Sequence, residues 1–239
     1  MNILALETSA DVLHLAMSTD STFLSETRTV GRRFSEELVP RMKAICEDAH
    51  ISLRELDLIV CTNGPGSFTG LRVGMSAAKG VSLAAGVPLV SLSTMEIMYQ
   101  PLALVHEPVL AVMDAKKHRY YAALFQKGVR LTADRDLPID ELCREIAGFS
   151  DIIVTGPDSQ VVVERLRDQV TQQGFKTKIH LDHLQYRSYG ESMIQLGKKL
   201  LLEQGPDDIG SGPTYIRKSD AEVSLEERNK KSIPKEVQL

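Results

Sequence analysis

The sequence has no tryptophan, and only six tyrosines and six phenylalanines among 239 residues. A surface that stacks successive bases of a single strand needs more aromatic faces than that. Its three cysteines, Cys46, Cys61 and Cys143, are odd in number and widely spaced. They make neither a disulfide framework nor a C-x-x-C zinc site, and their apolar surroundings predict buried thiols in a reducing, cytoplasmic setting. No apolar run reaches the roughly 18 residues of a membrane helix, so no membrane attachment is expected. No basic stretch precedes the first apolar run, so no secretory leader is expected. Lys and Arg number 28 against 32 Asp and Glu, a net charge of −4. A global field of that sign does not draw nucleic acid, so contact with RNA would need a local patch or a partner. What remains is an ordinary globular composition, 43% hydrophobic and 25% charged, in a length between one domain and two.

Hydrophobic periodicity predicts strands over 3–6, 12–17 and 22–30, the last more polar. Ser35 can cap a helix whose first turn holds Glu36 and Glu37, with Leu38, Met42, Ile45 and Ala49 on one stripe; Pro40 predicts a kink or a late start. A strand over 56–61, a Gly/Pro turn over 63–67, a helix of small residues over 69–85 and a strand over 87–92 complete the first half. The second half predicts strands over 108–113, 120–125, 129–133, 152–155 and 176–181, with helices over 140–147, 158–170 and 189–204.

The two halves repeat one order: strand, acidic turn, strand, strand, helix, strand, helix. Their openings align, Ile3-Leu4-Ala5-Leu6-Glu7 with Leu110-Ala111-Val112-Met113-Asp114. A period of about 105 residues is too long for a solenoid unit. It predicts a duplicated α/β fold, two similar lobes with mixed sheets facing across a cleft. The expected divisions are a first lobe over 1–104, a second over 105–218 and a polar tail over 219–239.

The segment Asn63-Gly64-Pro65-Gly66-Ser67-Phe68-Thr69-Gly70-Leu71-Arg72-Val73-Gly74 carries the most information. A glycine-rich turn between a buried strand and a helix can present backbone N–H groups to an anion, or can simply be a capped strand-to-helix turn. It is not a P-loop, because Leu71 rather than lysine follows Gly70, and its glycine spacing misses the dinucleotide-binding fingerprint. Glu7, Gly64, Gly66, Ser67 and Asp114 are the residues expected nearest an anion or nucleotide. In the following helix Gly74 and Gly80 each cost helix propensity of about 1 kcal/mol. Close approach of another backbone is the usual compensation. Gly74-Met75-Ser76-Ala77-Ala78 only loosely echoes a nucleophile elbow, since Ser76 would lie inside the helix.

The run from Gly64 to Gly74 resembles the TsaB (YeaZ) family. So do the opening strand and turn over 3–9, and Arg32-Arg33-Phe34-Ser35-Glu36-Glu37-Leu38-Val39-Pro40, with Phe34 where the family has histidine. Val112-Met113-Asp114-Ala115-Lys116 resembles its D-A-(R/K) turn, and Pro213-Thr214-Tyr215-Ile216-Arg217 its C-terminal P-x-Y-(L/I)-R segment. The resemblance implies an actin-like, ribonuclease-H-like fold. It further implies a non-catalytic subunit that activates the catalytic paralogue TsaD in forming N6-threonylcarbamoyladenosine at position 37 of tRNA. By the same implication its partners are TsaD, the ATPase TsaE through the complex, a second copy when alone, and tRNA only indirectly. Pairing through the first-lobe helices is then expected at Leu38, Met42, Ile45, Gly74, Ala77, Ala78, Gly80 and Val81.

The metal-binding H-x-x-x-H of TsaD has no counterpart here. His180 and His183 are the closest histidines, and their setting predicts a solvated turn rather than a metal site. No catalytic residue, metal or cofactor is therefore expected. The competing reading is a stand-alone actin-like phosphotransferase or metal-dependent hydrolase, in which Glu7 and Asp114 would orient magnesium. It would need a nucleotide loop in the second lobe, where only Gly156-Pro157 is found.

Overall fold

A computed structural model describes residues 1–31, 33–184 and 187–217. Arg32 and the expected polar tail at 219–239 lie outside the described residues. The first sheet contains β1 (Ile3–Glu7), β2 (Val12–Ser18), β3 (Phe23–Thr29), β4 (Leu58–Gly64) and β5 (Leu89–Ser93), in the order β3-β2-β1-β4-β5. β1 runs antiparallel to β2 and parallel to β4. The second sheet contains β6 (Val109–Asp114), β7 (Arg119–Gln126), β8 (Val129–Arg130), β10 (Asp151–Thr155) and β11 (Lys178–Leu181), ordered β11-β10-β6-β7-β8. β9 (Arg135–Pro138) also pairs with β7. Each sheet opens on a hairpin and continues with parallel strands, so the duplication expected from the two openings is the architecture.

Helices α1 (Phe34–Asp48) and α2 (Phe68–Ala85) cover one face of the first sheet, and α4 (Ile139–Ile146) and α5 (Ser159–Gln172) the outer face of the second. Between the sheets lie α3 (Thr94–Tyr99) and α6 (Gly190–Gln204). Strand alternation creates these layers. Leu4, Leu6, Ile59 and Cys61 point to α1 and α2, while Ile3, Ala5, Leu58 and Val60 point to the middle layer. In the second sheet Leu110 and Val112 point outward and Val109, Ala111 and Met113 inward. Although α6 is in the second half of the sequence, it packs on the first sheet. Gly197 permits this closeness, because a Cβ there would stand 2.4 Å from a Val60 methyl.

Several local expectations change. The first helix begins at Phe34, one residue before Ser35, and its N-cap Arg33 makes no side-chain cap bond. It also continues through Pro40, because Phe34, Leu38, Met42, Ile45 and Cys46 bury its inner face and outweigh one missing backbone bond. The expected strand over 129–133 shrinks to Val129–Arg130, and the unforeseen β9 follows it. Helix α3 was also unforeseen: its apolar residues continue directly from β5, leaving no break in the pattern. All three cysteines are buried and free. Among the described residues, no helix is long and apolar enough to cross a membrane.

Candidate functional site: the interlobe cleft and the glycine-packed helix

The lobes enclose a cleft of about 500 Å³ at the ends of β1, β6 and β10. Residues 9–12 and 66–68 supply one wall, and residues 113–117 with Tyr121, Pro157 and Asp158 the other; Arg217 completes it. Of the residues expected nearest an anion, Gly66, Ser67 and Asp114 line this space. Gly64 is buried at the end of β4, where a Cβ would stand 2.7 Å from the Thr214 carbonyl oxygen.

The first wall is built by small residues. Ser67 caps α2 by accepting the Gly70 N–H at 3.3 Å, and the Ser67 N–H donates to Ser9 O at 2.7 Å. Thr8 Oγ1 donates to Gly70 O at 2.9 Å. A Cβ on Gly70 would stand 2.0 Å from Thr8 O, and one on Gly74 2.1 Å from Thr8 Oγ1. The helix therefore has glycine here because the β1–β2 turn lies against its backbone.

The second wall is the β6–β7 turn. Asp114 accepts the Lys116 N–H at 2.8 Å and the Lys116 ammonium at 3.3 Å, which raises the lysine's pKa. The Asp114 N–H donates to Asp158 Oδ2 at 2.8 Å, tying this turn to the start of α5. Lys116, Lys117 and His118 all have left-handed backbones, with φ of 63°, 56° and 60°. Such a conformation costs about 1–2 kcal/mol per residue. The lining holds three acids, Asp11, Asp114 and Asp158, and three cations, Lys116, Lys117 and Arg217. The wall is therefore mixed in sign.

Glu7 lies behind the cleft, 2% exposed. It accepts the Ser9 N–H and stands opposite His14, with Oε2 3.9 Å from His14 Nε2. His14 Nδ1 meets Thr27 Oγ1 at 3.1 Å, and its ring packs on Tyr189 at 4.9 Å. Burial pushes Glu7 up to about 7, against the smaller lowering by the Ser9 bond, and pushes His14 down to about 4. Despite their proximity, the pair is therefore mainly uncharged between those values rather than an ion pair. Its alternation with Ile3 and Ala5 turns the Glu7 side chain toward the middle layer.

The residues expected at an interface fall into distinct environments. Leu38, Met42, Ile45 and Ala78 belong to the chain's own core, and Gly74 is buried against Thr8. Ala77 and Val81 are half-buried against that core, while Gly80 has open space where a Cβ would be. On the outer sides of α1 and α2, Val39 and Leu83 are 55% and 69% exposed. His180 bonds Asp151 at 2.9 Å, and His183 is exposed. Among the described residues no three His, Cys, Asp or Glu side chains come together as a metal site.

Comparison with known proteins resolves the kinship of this fold. Residues 24–199 match the family model described as TsaD, tRNA N6-adenosine threonylcarbamoyltransferase. The chain belongs to that family, on its TsaB/YeaZ branch. It is 24% identical over 237 residues to the tRNA threonylcarbamoyladenosine biosynthesis protein TsaB of Bacillus subtilis (strain 168), covering 96% of this chain and 100% of that protein. Against TsaB of Escherichia coli (strain K12) it is 30% identical over 129 residues, 53% of this chain and 56% of that protein. The chain thus spans about half the length of the latter in that match and all of the former. YeaZ from Pseudomonas aeruginosa has the same fold, with TM-score 0.74 and 22% identity over 90% of this chain and 99% of that one. The glycine segment and the β6–β7 turn that carried the TsaB/YeaZ resemblance form opposite walls of the cleft.

Proposed function

We propose that this chain serves the biosynthesis of N6-threonylcarbamoyladenosine in tRNA as a non-catalytic cytoplasmic subunit, activating a TsaD-type partner by pairing with it. The observation that carries the reading is the end-to-end relationship to the Bacillus subtilis protein named for that pathway. The distribution of side chains supports the non-catalytic part. Glu7 is buried behind the cleft, His180 is engaged with Asp151, and Asp114 is engaged with Lys116. The outer sides of α1 and α2, with Val39, Gly80 and Leu83 exposed, offer the pairing surface. The ATPase TsaE then joins through the complex, a second copy of this chain takes the same surface when the partner is absent, and tRNA is met through the assembly.

The experiment is co-expression with the TsaD of the same organism. The two should co-elute, and threonylcarbamoyladenosine should form only when TsaD is present. Formation by this chain alone from tRNA and threonylcarbamoyl-AMP would overturn the non-catalytic reading. Sustained ATP hydrolysis by the isolated chain would favour the phosphotransferase reading instead.

A further inference from the structure

Ile216 of the C-terminal P-x-Y-I-R segment packs against the middle layer, and the pairing reading gives the rest of the segment no role. Residues 206–217 leave the end of α6 and cross the first lobe. Asp207 donates its N–H to Leu89 O at 2.8 Å and accepts the Ser91 N–H at 2.9 Å, along the outer edge of β5. The Thr214 N–H donates to Asn63 O at 2.7 Å. Tyr215 stacks on Phe68 with centroids 4.5 Å apart, and Arg72 Nε donates to the Tyr215 hydroxyl at 2.8 Å. Arg217 then reaches the other lobe, where Nη1 donates to Ala115 O at 3.1 Å.

The chain passes between lobes from α3 to β6 and from β11 to α6, and α3 and α6 lie in the middle layer. The Arg217 contact lies in the cleft wall itself. It also holds the turn whose next three residues are left-handed, a conformation that persists only where its surroundings constrain it. Lobes joined through a common layer can rotate about it, and a tie across the opening resists that rotation.

We propose that residues 206–217 are an interlobe latch, anchored on α2 by the Tyr215–Phe68–Arg72 cluster and closed by Arg217 on Ala115, and that releasing Arg217 opens the cleft. The latch is a property of the isolated chain and stands apart from the pairing reading.

The test is the distance distribution between spin labels on Glu47→Cys and Asp168→Cys, exposed positions on α1 and α5, in the full chain. The native cysteines are buried, so the labels report the introduced sites. Losing a charge-assisted hydrogen bond should shift the open-to-closed ratio roughly tenfold in Arg217→Ala. Arg217→Lys should restore part of the closed population. A second readout, amide exchange over residues 114–119, should accelerate in Arg217→Ala and in Tyr215→Ala. A distance distribution in Arg217→Ala that superposes on the parent's would overturn the latch. So would unchanged exchange in Tyr215→Ala, which keeps the measurement decisive if the arginine variant folds poorly. No partner protein is present, so this result and the failure of TsaD pairing are read separately.

Discussion

Thr8 and Gly70 are locked together: the threonine hydroxyl donates to Gly70 O at 2.9 Å, while Thr8 O occupies the space where a Cβ of residue 70 would be, 2.0 Å away. This contact fixes the angle at which α2 leaves its sheet, and with it the first wall of the cleft.

The glycines of α2 should therefore respond to alanine with opposite signs. Gly70→Ala and Gly74→Ala force the β1–β2 turn off the helix and should each destabilise the fold by on the order of 2–3 kcal/mol. At Gly80 an added methyl would meet nothing within 4 Å. Gly80→Ala should be neutral or gain up to about 1 kcal/mol of helix propensity. Urea denaturation of the three variants decides; equal losses at 74 and 80 would contradict the packing.

Glu7 and His14 should hide each other's pH dependence. Glu7 is raised from 4.5 to about 7, so its favourable contribution is complete below pH 4.5 and is lost as pH rises through 7. His14 is lowered from 6.5 to about 4, so its contribution is complete above pH 6.5 and is lost as pH falls through 4. Between pH 4.5 and 6.5 the two slopes oppose. Glu7→Gln retains an acceptor for the Ser9 N–H and removes one slope. Its stability should climb with pH across that window by up to about 3 kcal/mol, while the parent stays nearly flat. Denaturation midpoints at four pH values test this, and parallel profiles would refute it.

Metal should not matter to the fold. His180 is spent on Asp151, and the cysteines are buried singly. Zinc or a chelator should move the melting temperature by less than about 1 °C, since only a ligand that binds the folded chain stabilises it. A zinc-dependent rise of several degrees would return His180 and His183 to consideration.

The repeat was readable because each half opens on a buried strand that ends in one acid, and strand, turn and helix each leave a periodic trace. The glycine segment was also readable as a capped strand-to-helix turn, and its Gly66 and Ser67 line the cleft. Other features depend on contacts remote in sequence. Gly64 meets Thr214, 150 residues later, and Gly74 meets Thr8, so neither reason for glycine is visible locally. Glu7 could have been placed by alternation alone: two residues beyond Ala5, it faces the middle layer rather than the opening. Helix α6 follows the second sheet in sequence yet packs on the first, which no local pattern encodes.

The last prediction concerns the outer face of α2. Leu38, Met42, Ile45, Gly74 and Ala78 are used inside the chain, so substituting them would test folding before pairing. Ala77 is half-buried against the same core, and Ala77→Arg should cost stability for that reason. Gly80 and Leu83 are the informative positions. Gly80 opens onto free space and Leu83 is 69% exposed, so Gly80→Arg and Leu83→Asp should leave the melting temperature of the isolated chain nearly unchanged. If TsaD packs a helix here, the arginine overfills a close contact and both variants bury an unpaired charge. Each should weaken association by several kcal/mol, a loss of about 100-fold or more in affinity. Co-elution and titration with TsaD measure it. Two well-folded variants that still bind with parental affinity would remove α2 from the interface and leave its small residues to the contact with Thr8.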